Sequence, residues 1–151
     1  MANNLLERNV IESLASLVTS QHQMLLQLQA ILTQEKQAIS DRNADLLLSL
    51  CAEKSAILTS IKTQDELIAH DPHKHLLITG SGLVAQLNQT QALLQQCKQL
   101  NAENASIVAF NQASLNRFSQ ALQASRNASS LTYNDKGKTS SLSSLGNNIT
   151  V

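Results

Sequence analysis

The sequence predicts an all-α protein, an elongated antiparallel three-helix bundle or coiled coil of long helices followed by a flexible C-terminal tail. Apolar residues make up 42% of the chain and are mainly leucine, alanine and isoleucine, whereas aromatic residues make up only 2%. Strands favour β-branched and aromatic side chains, so this composition favours aliphatic helix packing. The single proline and the four glycines leave two long segments, before residue 72 and between residues 82 and 137, without helix-breaking residues.

The first helix is predicted over about residues 4–40. Two adjacent columns of apolar residues repeat every seven positions along this segment, and four consecutive heptads on one face indicate a long helix that packs by coiled-coil rules. One column contains Val10, Leu17, Met24, Ile31 and Ala38, and the other contains Ile11, Val18, Leu25, Leu32 and Ile39.

The second helix is predicted over about residues 44–69. The apolar columns stop at residues 40–43, which include Ser, Asp and Asn, the residue types that cap helix N-termini. Because this connection is short, the first two helices should be antiparallel neighbours. The alternative is one helix that bends at this point.

Two charged residues, Glu35 and Lys54, occupy positions within the apolar columns of the first two helices. With a turn near Asn43, they lie about three residues out of register, or about 4.5 Å along the helix axis. We therefore predict a cross-helix ion pair that sets the register of the two helices. In the alternative interpretation both side chains extend separately to water.

The third helix is predicted over about residues 81–125, after a loop at residues 70–80 that contains the proline. Its apolar column is predicted through Leu83, Leu87, Leu94, Val108, Leu115 and Leu122. Polar residues such as Asn101 interrupt this column, so the third helix should pack less firmly than the first. After residue 125 Ser, Thr, Asn, Gly and Lys predominate. Such a segment buries too little apolar surface to offset the entropy of ordering. The bundle is therefore expected over residues 1–125 and a mobile tail over residues 126–151.

Composition and motifs argue against several functional classes. The formal net charge is zero, which gives no basic surface for nucleic acid. Neither a signal peptide nor an apolar run long enough to span a membrane is present in the sequence, so we expect a cytoplasmic protein. No phosphate-binding or nucleophile motif occurs, and we expect neither enzyme activity, a cofactor nor a small-molecule substrate. The cluster of His70, His73 and His75 has no common zinc-ligand spacing and is interpreted as a polar loop rather than a metal site.

Protein binding is the function class that remains. An apolar groove along an imperfectly packed bundle can accept an amphipathic helix from a partner. In the tail, Tyr133 is the only tyrosine and offers a large contact area at low entropic cost, which favours a binding role over the alternative of an inert residue. Leu142, Leu145 and Ile149 have the spacing of one face of a short latent helix.

Several of these residues together resemble the FlgN family of flagellar export chaperones. The resemblance extends from the first helix to Thr139, and its most distinctive part is the segment Leu-Thr-Tyr-Asn-Asp-Lys-Gly-Lys-Thr at residues 131–139. The other matching residues are Glu35, Ala38, Ile39, Asp45, Lys54, Leu100, Asn101, Asn104 and Ile107.

The resemblance implies a function that periodicity does not show. FlgN-type chaperones bind the hook–filament junction proteins FlgK and FlgL, prevent their premature assembly, and deliver them to the export-gate protein FlhA. The resemblance implies that the C-terminal part of the third helix and the tail bind the client, and that Tyr133 with Gly137 docks to the export gate. We assign the client-binding role to Ile107, Val108, Leu115, Phe118, Leu122, Leu142 and Leu145.

A second class of function stays open at this point. A structural coiled-coil adaptor or self-assembling helical protein would have the same heptads, and would associate through the apolar columns of the first helix. The sequence does not distinguish a monomer from a homodimer.

Overall fold

The computed structural model describes residues 2–134, which form four helices and no strand. Helix α1 spans Ala2–Ser40, α2 spans Ala44–Ala69, α3 spans Leu76–Thr79 and α4 spans Ser81–Asn134. The predicted all-α class is therefore confirmed. The chain divides into two compact units, Met1–Ser106 and Ile107–Val151.

Within the first unit α1 and α2 are antiparallel, and α1 and α4 are parallel. Gln21, early in α1, donates to Asp65, late in α2, and Glu35, late in α1, pairs with Lys54, which comes earlier in α2. The two helices therefore run in opposite directions. Between α1 and α4 the contacts advance together along both helices, from Gln29 with Gln96 to Lys36 with Glu103, so these two helices run in the same direction. The result is an up–down–up arrangement of three long helical segments.

Three apolar clusters fill the interior of the first unit. One lies beside the α1–α2 turn, one lies at mid-length between α1 and α4, and one lies where α3 closes the opposite end of the bundle. Their buried members are Ile31, Ala38 and Leu50; Leu25, Leu28, Leu32, Leu93 and Cys97; and Leu14, Val18, Leu77 and Leu83. Except for Ile11, the column residues of α1 are thus buried or half-buried by the chain's own helices, whereas Leu5, Leu6 and Leu26 are exposed.

The connection between α1 and α2 is a true turn rather than a bend. Arg42 has a φ of 55°, the left-handed conformation typical of the residue after a helix end. The amide of Asn43 donates to Ala38 O and the amide of Arg42 donates to Ile39 O, which together form a Schellman motif. The side chain of Asn43 then accepts from the Leu46 amide, so it caps the N-terminus of α2.

The buried column of α4 differs from the predicted one. The column through Leu87, Leu94 and Asn101 is half-buried to exposed, whereas the neighbouring column is buried and consists of Leu83, Thr90, Cys97 and Asn104. Half of this column is polar, and hydrogen bonds make the burial of its polar side chains possible. Thr90 donates to Gln86 O, and Asn104 donates to Leu32 O. Burial also raises the pKa of the Cys97 thiol.

Two helix boundaries differ from the sequence prediction. Helix α3 occupies part of the expected loop because Leu77 is buried against α1 and orders that segment. Helix α4 continues to Asn134 instead of ending near residue 125. Residues 126–134 contain neither Gly nor Pro, and helix propagation requires only local backbone hydrogen bonds. The predictions for Gly137, Leu142 and Leu145 lie outside the described residues.

Substituting Arg42→Gly should stabilise the chain by about 1 kcal/mol, because glycine adopts the left-handed conformation without the steric cost of a Cβ. Arg42 is exposed, and its side chain forms no hydrogen bond or ion pair with another residue in the described part of the chain. Urea unfolding followed by circular dichroism measures the change. Arg42→Ala is the control, since it removes the same side chain and retains the Cβ. An equal midpoint for the two variants would contradict the strain argument.

Candidate functional site

An apolar face, interrupted by Asn111 and Ser114, lies along the α4 residues of the second unit. Successive helix residues are rotated by about 100°, which places six apolar residues within roughly half of the helix circumference. They are Ile107, Val108, Phe110, Leu115, Phe118 and Leu122, and we call this set the apolar face. The exposed fractions of Phe110, Leu115, Phe118 and Leu122 are 67%, 68%, 64% and 52%.

The opposite side of the same helix contains only small or polar residues. It includes Ala109, Gln112, Asn116, Gln120 and Asn127. A helix with one apolar and one polar side normally buries the apolar side against another element. Exposed apolar patches of this kind are typical of protein-binding surfaces. The apolar face is therefore the strongest candidate for a binding site among residues 2–134.

The five described residues that the sequence assigns to client binding all belong to the apolar face. Val108, Leu115, Phe118 and Leu122 are exposed and Ile107 is half-buried. Sequence reasoning omitted Phe110, because this residue lies outside the seven-residue columns on which the prediction was based. The sequence did contain a signal for Phe110, because a large aromatic residue adjacent to an apolar stripe widens that stripe. Tyr133 lies in the last turn of α4.

The apolar face begins where the buried column of α4 ends. The column Leu83, Thr90, Cys97 and Asn104 is buried, but the next positions at seven-residue spacing, Asn111, Phe118 and Ser125, are all exposed. The seven-residue spacing itself extends past residue 106, but Asn111 and Ser125 in this column are polar and only Phe118 is apolar. Residues with the same spacing therefore pack inside the bundle before residue 106 and are exposed to solvent after it.

A polar cluster of the first unit extends from the interior to the surface and consists of Glu35, Cys51, Lys54, Asn101 and Asn104, of which Glu35 and Asn104 are buried and Cys51 and Asn101 are exposed. Glu35 is 2% exposed, and its Oε1 lies 2.7 Å from the Nζ of Lys54. The ion pair that the sequence predicts is thus present in the structure. A buried carboxylate is very costly without such a partner. Lys54 Nζ also donates to Asn101 Oδ1 at 3.3 Å.

Asn104 connects the same carboxylate to α4. Its side-chain amide donates to Leu32 O at 2.8 Å and to Glu35 Oε2 at 3.4 Å. The thiol of Cys51 lies 3.8 Å from Glu35 Oε1. Asn104 Oδ1 is buried and has no hydrogen-bond partner among the described residues. One side chain of α1 is therefore held by α2 on one side and by α4 on the other.

The histidine cluster forms a polar loop in the structure. The amide of His73 donates to Asp71 Oδ1 at 2.7 Å, and His73 Nδ1 lies 3.6 Å from the same oxygen. The rings of His73 and His75 are 6.5 Å apart. Residues 2–134 contain no group of three or more His, Cys, Asp or Glu side chains placed to hold a metal ion. None of the helices within this range is long and apolar enough to cross a membrane.

The fold and the apolar face together define a helical protein that binds other proteins. A family model described as FlgN protein matches residues 1–141. No curated protein and no solved structure matches the chain. Because the match includes most of the chain, the protein belongs to the FlgN family, whose members are flagellar export chaperones. The family is a chaperone family rather than an enzyme family, and its members bind flagellar export substrates.

Substituting Lys54→Met should destabilise the chain by about 3 kcal/mol, because it leaves the carboxylate of Glu35 buried without a cation. In the Glu35→Gln/Lys54→Met double variant both charges are absent, and most of the lost stability should return. Urea unfolding of the four chains of this cycle gives the coupling energy.

The control for this cycle is Lys36→Met. Lys36 Nζ lies 3.4 Å from Glu103 Oε2, and both side chains are about half exposed, with fractions of 51% and 42%. Exposed pairs of this kind contribute little, so this variant should change stability by no more than about 0.5 kcal/mol. Additive effects of the Glu35 and Lys54 substitutions would contradict the predicted pair.

Proposed function

We propose that the chain is the export chaperone of the hook–filament junction proteins FlgK and FlgL, and that it binds a helical segment of each client on the apolar face. The observation that supports this proposal is the exposure of Phe110, Leu115 and Phe118 on one side of a helix, in a chain of the FlgN family. A client helix placed there would cover apolar surface on both partners and would be unavailable for assembly.

The tail contributes to the proposal through the family resemblance. We assign gate docking to Tyr133 and Gly137, with the export-gate protein FlhA as the partner. Leu142 and Leu145 are assigned to client binding because their spacing is that of one helix face. A segment that becomes ordered on binding loses entropy, which lowers its affinity and favours release of the client.

The alternative function, a self-assembling coiled coil, depended on the apolar columns of α1. Val18, Leu25 and Leu32 in these columns are buried by the chain's own helices, with exposed fractions of 0%, 2% and 1%. Self-association through these residues would require the first unit to open. The burial of these three residues therefore favours the chaperone over the structural adaptor, while Ile11 of the same columns is 39% exposed.

Substituting Phe118→Ala should weaken client binding about thirtyfold, since a large aromatic side chain at the centre of an interface contributes about 2 kcal/mol. Isothermal titration calorimetry with purified FlgK and FlgL measures the dissociation constants. The matched control is Leu48→Ala, because Leu48 is 71% exposed and belongs to α2 rather than to the apolar face. Unchanged affinity in both Phe118→Ala and Leu115→Ala would contradict the assignment.

Substituting Tyr133→Ala should weaken binding to the cytoplasmic domain of FlhA and leave the dissociation constants for FlgK and FlgL unchanged, because the two roles belong to different residues. Gate binding is measured by biolayer interferometry, with and without saturating client. Phe118→Ala gives the reciprocal control, with weaker client binding and unchanged gate binding by the free chaperone. Unchanged gate affinity of Tyr133→Ala would exclude the docking role.

A further inference from the structure

The helical part of the second unit has charge of one sign only. Between Glu103 and Asp135 the charged residues are Arg117 and Arg126, so the segment of residues 107–134 has two positive charges and no negative charge. Both arginines are exposed. Neither forms an ion pair with another residue in the part of the chain that the structure describes. This charge distribution differs from that of the whole chain, whose formal net charge is zero.

The two arginines lie at the two edges of the apolar face. At about 3.6 residues per turn, Arg126 is five full turns after Val108 and therefore lies on the same line along the helix. Arg117 is about two turns after Phe110, at the other edge. Leu115, Phe118 and Leu122 lie between these two edges. A partner that covers the apolar face therefore meets a guanidinium on each side.

We propose that the apolar face selects an amphipathic helix with carboxylates on both edges of its own apolar side. This inference rests on the proposed function, because it takes the apolar face as the site that holds the client, and it specifies the chemistry of the bound segment. Carboxylates accept hydrogen bonds from guanidinium groups in charge-assisted pairs. Complementary charges at the rim of an interface speed association and exclude partners of the wrong charge.

The charges argue against two other occupants of the apolar face, a second copy of the chain and the chain's own residues 135–151. A second copy that used the same face would add two more arginines and no carboxylate, which is unfavourable in a symmetric interface. The chain's own residues 135–151 contain Lys136 and Lys138 against a single acidic side chain, Asp135. Neither occupant supplies the pair of carboxylates that a helical partner with acidic edges provides.

The positions of these residues also set the size of the partner. The segment from Phe110 to Arg126 is about 24 Å long, so a helix of about 16 residues covers it. Arg117 and Arg126 are separated by about 13.5 Å along the axis. The matching carboxylates are therefore about nine residues apart in the partner, one on each edge of its apolar side.

The test uses three fluorescein-labelled amphipathic peptides of 18 residues with one leucine face and with Glu, Gln or Lys at its edges. Fluorescence anisotropy with the full chain at low salt measures their dissociation constants. We expect the Glu peptide to bind about fivefold more tightly than the Gln peptide, as two rim ion pairs would give, and the Lys peptide to bind most weakly. The preference should diminish at high salt.

Charge reversal identifies the groups responsible. The Arg117→Glu/Arg126→Glu variant should prefer the Lys peptide, whereas Lys62→Glu/Lys98→Glu should retain the original order, since it changes the net charge equally through exposed lysines outside the apolar face. In the Phe118→Ala variant all three peptides should bind more weakly. Equal binding of the three peptides together with this loss would overturn the charge inference and leave the apolar face as the client site.

Other outcomes would overturn the proposal in distinguishable ways. Failure of all three peptides to bind would exclude docking of such helices, while calorimetry with FlgK and FlgL tests the proposed function separately. Unchanged binding of the Glu peptide by Phe118→Ala would place the peptide elsewhere. Equal gains for all peptides on deletion of residues 135–151 would identify this segment as the occupant. A dimer that dissociates as peptide is added would identify a second copy.

Discussion

The buried carboxylate of Glu35 is the constraint on which the arrangement of the first unit depends. Apolar columns with a seven-residue repeat permit neighbouring helices to slip by whole turns without exposing much apolar surface. A slip of one turn is about 5.4 Å, which would separate Glu35 from both Lys54 and Asn104. Because an unpaired buried charge is strongly disfavoured, the carboxylate permits one register for α2 and one for α4.

This constraint explains how two different surfaces arise from one repeating pattern. In Met1–Ser106 all column residues of α1 except Ile11 are buried or half-buried by the chain's own helices. The buried polar side chains of Glu35, Thr90 and Asn104 each have a partner within the bundle. After Asn104 no further residue of the heptad column of α4 is buried in the described part of the chain. The same seven-residue spacing therefore stabilises the fold in the first unit and exposes an apolar face in the second.

Sequence patterns predicted the class of fold, the antiparallel pairing of α1 and α2, and the pairing of Glu35 with Lys54, because heptads and loop length determine these locally. They did not predict Asn104 as a second partner of Glu35. They did not identify the buried column of α4, since the column through Leu87 and Leu94 is the more apolar one and only the packing of Cys97 against Leu25 and Leu32 shows which column is buried. The end of α4 was placed too early because burial was used as the criterion for helix. Phe110 was missed for a related reason, as it lies outside both columns.

The position of Tyr133 in the last turn of α4 has a spectroscopic consequence. The chain contains no tryptophan and one tyrosine, so its tyrosine emission originates entirely from this residue. Most helical bundles report an average over several fluorophores, whereas here the ultraviolet emission describes the environment of one side chain. The unmodified protein therefore contains an intrinsic optical probe at the residue to which gate docking is assigned.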